Sequence, residues 1–61
     1  MNSNQLEQDA RRLFDRGELV AAADMYRAAS KASRGRHASR LLSKAYDIDW
    51  VLETRAEKAS A

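Results

Sequence analysis

Few side chains in this sequence are of the types that perform covalent chemistry, and their spacing decides most cases. His37 is near Ser39 and Ser43 in the chain, a set that could suggest an activated hydroxyl. Nucleophilic catalysis also needs a third group to orient the imidazole, and no carboxylate is spaced along the chain to do so. The three read as the exposed start of a helix, with His37 in a basic turn. Enzyme activity is not expected, since a chain this short has almost no interior in which groups could converge around a substrate.

Metal chemistry fares no better. Asp47 and Asp49 are two residues apart on a helix and diverge by about 160°, so they cannot share one ion. Glu53 and Glu57 are four apart and do share a face, but two carboxylates alone hold a cation weakly. A single histidine and no cysteine leave no zinc set and no disulfide. No metal or cofactor is expected.

Two binding chemistries remain. The first is electrostatic: Arg27, Lys31, Arg34, Arg36, Arg40 and Lys44 lie between positions 25 and 47 with no acid among them. Five of them, Lys31, Arg34, Arg36, Arg40 and Lys44, cluster around one turn and could neutralise phosphates of a nucleic acid. Base-stacking aromatics are not interleaved with them, and the formal net charge is only +2. The solvated-turn reading is therefore preferred to nucleic-acid binding. The second chemistry is apolar: Tyr46 and Trp50 are four residues apart, and both ring types are frequent anchors of protein interfaces.

These residues need elements to position them, and the chain reads as three helices. Asn4 with Glu7 three residues later has capping-box spacing, and Leu6, Ala10, Leu13 and Phe14 follow as one apolar stripe over residues 4–16. Gly17 ends that helix in the left-handed conformation. A second helix over 18–32 carries Leu19, Ala22, Ala23, Tyr26 and Ala29 on one face. Ala21, Met25, Ala28 and Ala32 form a further small or apolar strip on another side. Gly35 marks the next break. A third helix over 37–59 turns Ala38, Leu41, Ala45, Ile48, Leu52, Ala56 and Ala59 inward, with Leu42 at the stripe's edge. On this wheel Trp50 points about 180° and Tyr46 about 140° away from Leu41.

The first two helices resemble a tetratricopeptide repeat. Leu6, Ala10 and Leu13, then Gly17 and Leu19 at the turn, then Ala22, Tyr26 and Ala29 occupy that unit's large, small and turn positions. Asp9 departs from the usual Leu, and the proline expected near Arg34 is absent. No second repeat follows. A third helix in its place is similar to the arrangement of the microtubule-interacting and trafficking (MIT) domain. Residues 52–59, Leu-Glu-Thr-Arg-Ala-Glu-Lys-Ala, are similar to the end of that family's third helix. The resemblance implies an all-α, three-helix bundle of the tetratricopeptide-plus-one kind. It also implies a module that receives a short peptide in a groove beside its last helix.

Composition agrees with an all-helical chain: proline is absent, glycine occurs twice, and 44% of the 61 residues are apolar. A chain of this length buries only about 60% of the surface it exposes when unfolded, so stability is thin. No apolar run reaches the ~20 residues that span a bilayer, and the first residues lack a signal-peptide pattern. A cytoplasmic location is expected. The sequence thus predicts one non-enzymatic, protein-binding domain that uses Ala21, Met25, Ala28, Ala32, Tyr46 and Trp50 toward a protein, a peptide or itself. The competing readings are an obligate oligomer or subunit of a larger assembly, and a weak nucleic-acid binder acting through the basic turn.

Overall fold

The computed structural model describes residues 3–60, with side chains described to residue 56. Three helices follow in order: α1 over Ser3–Asp15, α2 over Leu19–Lys31 and α3 over Gly35–Ser60. The architecture is all-α, as the periodicities predict. Glu57, expected as a charge on the outer face, and Ala59, expected inward, lie outside the described side chains.

The α1 to α2 turn is a Schellman motif built on Gly17. Its φ of +83° puts it in the left-handed region. The Gly17 amide donates to the Phe14 carbonyl at 3.0 Å and the Glu18 amide to the Leu13 carbonyl at 2.9 Å, which closes the open end of α1. Glu18, at φ −84° and ψ 72°, is the hinge of an inverse γ-turn that starts α2. At the second connection the expectation needs correcting. Gly35 takes the left-handed conformation of a turn residue, at φ +63°, but it is also the first residue of α3, which starts two residues earlier than the apolar pattern indicates. The Ser30 hydroxyl donates to the Ala38 carbonyl at 2.8 Å and fastens that turn across the two helices.

Helix α2 is the centre of the molecule. It packs against α1 on one side and α3 on the other, while α1 and α3 meet only at their margins. The Cα atoms span 40 × 22 × 12 Å, the proportions of three helices side by side in a shallow V. The core is Ala10 from α1, Leu19, Ala22, Ala23, Tyr26 and Ala29 from α2, and Leu41, Ala45 and Ile48 from α3. Five alanines among these nine let the helix axes approach closely.

Of the other residues expected inward, Leu6, Leu13 and Ala38 are half-buried, and the largest departures lie where a neighbouring helix is missing. Phe14 is 49% exposed instead of buried, because an open V has no third wall over that end of α1. Leu52 is only half-buried, since α3 has 26 residues against 13 in α2 and runs past the neighbour it packs on. Ala56 is exposed for the same reason.

Candidate functional site

Helix α3 has α2 along one flank and no neighbour along the other. The free flank carries Leu42, Tyr46 and Trp50, which are 36%, 62% and 66% exposed. Spaced at i, i+4 and i+8, they drift by about 40° per step and form one oblique row about 12 Å long. The Thr54 hydroxyl donates to the Trp50 carbonyl at 2.9 Å, a bond within the helix that leaves the indole free of it. Ser39 and Ser43, both exposed, lie beside the row and add no bulk or charge. Leu42 belongs to this row, although the sequence placed it only at the edge of the inward stripe. The signal was available in its four-residue spacing from Tyr46.

The α2 residues assigned to the same surface are elsewhere. Ala21 and Ala32 are exposed and Ala28 is half-buried. Met25 is partly buried and packs against the core, in part bridging α2 to α1. Charge separates this face from the aromatic row. Arg27 of α2 donates to Asp49 of α3 and also meets Asp24 at 3.0 Å. The hydrogen bond to Asp49 is the main reason that the Arg27 guanidinium holds its proton more firmly than usual. Asp49 is half-buried beside the apolar stripe of α3, within reach of this arginine of α2. Met25 with the small face, and Tyr46 with Trp50, thus form two surfaces.

The V opens on its other side into a trough between α1 and α3. Phe14, Tyr26, Lys44, Asp47 and Ile48 line a cavity of about 250 Å³ there. Lys44 lies 5.5 Å from the centre of the Tyr26 ring and 4.0 Å from Glu7. Tyr26 is buried, and burial pushes its phenol up from the ordinary value. His37 Nε2 is 3.5 Å from Glu7, so the fold supplies the carboxylate that chain spacing did not. That pair still has no nucleophile: Ser39 is two residues from His37 on one helix and points about 160° away.

The basic turn is divided. Arg36, Arg40 and Lys44 share a shallow depression with Ser39 and Ser43, whereas Lys31 and Arg34 are exposed outside it. Lys44 is also drawn toward Glu7 and the trough. Among the described residues no three histidine, cysteine or acidic side chains converge on a point, and no helix is long and apolar enough to cross a membrane. Neither a protein family nor a curated protein nor a solved structure matches this chain.

Proposed function

We propose that this chain is a protein-binding module whose docking surface is the free flank of α3. The observation that supports the reading is the exposure of Tyr46 and Trp50 on consecutive turns, with Leu42 completing the row. Small proteins seldom leave two aromatic rings adjacent and open to water, and interface anchors come preferentially from Trp and Tyr. Neither ring belongs to the core cluster, so neither holds the three helices together.

The chemistry is recognition by burial. A partner that covers both rings gains about 1.5 to 3 kcal/mol for each at ordinary area coefficients, before the cost of association. The basic depression of Arg36, Arg40 and Lys44 lies farther along the same helix and favours an acidic rim on whatever docks. The test is the double variant Tyr46→Ala with Trp50→Ala. Circular dichroism is expected to show unchanged helix content, while association, read by light scattering or capture on the immobilised chain, falls at least tenfold. Unchanged association in a folded double variant would sink the proposal.

A further inference from the structure

We infer that the occupant of the α3 flank is a second copy of this chain, docked antiparallel through the same row. This rests on the reading of Leu42, Tyr46 and Trp50 as a docking surface and names what covers it. A two-fold contact requires a patch complementary to itself. The row satisfies this in antiparallel order. With the axis beside Tyr46, the two Tyr46 rings adjoin, and Leu42 of each chain lies alongside Trp50 of the other, so the smallest member of the row receives the largest. Ridges of i±4 spacing on two helices interdigitate at about −50°, which suits a short row with slender flanks at Ser39 and Ser43.

Charge selects the same order. The first half of α3 carries Arg36, Arg40 and Lys44 without an acid; Asp47, Asp49 and Glu53 follow with Arg55, so the second half is acidic on balance, Asp47 and Glu53 being its exposed acids while Arg27 of the same chain holds Asp49. Antiparallel docking sets the basic half toward the partner's acidic half. Parallel docking sets like against like.

Area sets the strength. Tyr and Trp bury roughly 150 to 250 Å² each when covered, so at the observed exposures the row offers about 350 Å² per chain. That is under half of the ~800 Å² per partner of a standard interface. The dimer is therefore weak and concentration-dependent, populated toward the millimolar end of the range rather than the micromolar.

The experiment is sedimentation velocity of the full chain from about 5 μM to about 1 mM, which spans roughly three kcal/mol of association free energy, with tryptophan emission followed alongside. Trp50 is the chain's single tryptophan and reports its own burial. The mass is expected to rise from 6.9 kDa toward twice that, with a blue shift of emission over the same range. Trp50→Ala should move the half-point at least tenfold higher. Orientation is read with single cysteines, since the chain has none. Ser39→Cys chains should couple to Glu53→Cys chains through a short bis-maleimide, and neither to itself.

A monomer at every concentration, association that survives Trp50→Ala in a folded chain, or self-coupling of Ser39→Cys would each overturn self-docking. The wider reading fails separately. If the chain stays monomeric but the double variant still loses capture of another protein, self-docking is overturned and the docking surface stands; if capture is also unchanged, both are overturned.

Discussion

At the residue scale, burial divides leucines that the sequence treats alike. Leu41 is 1% exposed and is the largest side chain fully enclosed, whereas Leu52 is half-buried at the overhang of α3. Leu41→Ala should therefore cost about 2 to 5 kcal/mol, enough to unfold most of so small a domain, and Leu52→Ala distinctly less. Urea melts of the two variants check the order, and equal losses would mean that α3 is seated further along α2 than described. Tyr26 gives a pH-dependent counterpart. Burial disfavours its phenolate, so the folded-state pKa lies above the unfolded value of about 10. The stabilisation is fully present below that unfolded value and is lost as pH rises through the folded one. Tyr26→Phe should consequently show a shallower alkaline loss of stability than the parent, measured as melting temperature between pH 8 and about 11, a range that spans the phenol's ordinary value.

At the element scale, the first turn and α2 were the most legible parts. Gly17 was readable because a lone glycine after an apolar stripe has one favourable use, and its predicted conformation is the observed one. The five inward residues of α2 were readable because α2 is flanked on both sides, so its pattern meets no open edge. Phe14 and Leu52 were misread for the opposite reason. Helical periodicity reports which way a side chain points, not whether anything stands there, and both point where the V is open or α3 overhangs. The link between Glu7 and His37 was illegible because it joins α1 to α3 across thirty residues with no local signature. For the site, the outward direction of Tyr46 and Trp50 followed from the wheel, and the closeness of Asp49 to the apolar stripe allowed for an arginine partner on α1 or α2; that Arg27 is the partner did not follow, because the pair joins two helices across 22 residues. Gly17→Ala is the prediction that belongs here. Nothing obstructs a Cβ at Gly17, so only the left-handed backbone opposes it, at about 1 to 2 kcal/mol. Chemical denaturation reads this cost, and a neutral alanine would show that the turn relaxes to another form.

At the scale of the whole molecule, three helices in a shallow V leave α3 half-covered, and this incompleteness is the basis for assigning a binding function. A closed bundle of the same helices would bury more and present less. Asp49→Ala tests how α3 is held to α2, because it removes the cross-helix partner of Arg27 while leaving Asp24. It should lower the melting temperature more than Asp24→Ala does, and the reverse order would assign the inter-helix tie elsewhere. The central claim is that Trp50 stands in water on the folded monomer. The direct measurement is the emission and iodide quenching of Trp50 in dilute, fully helical protein, compared with the urea-unfolded chain. A red emission maximum and strong quenching that scarcely change on unfolding are expected. A blue, protected emission from the dilute folded monomer, shifting red as helix is lost, would place Trp50 in the intramolecular core and contradict it.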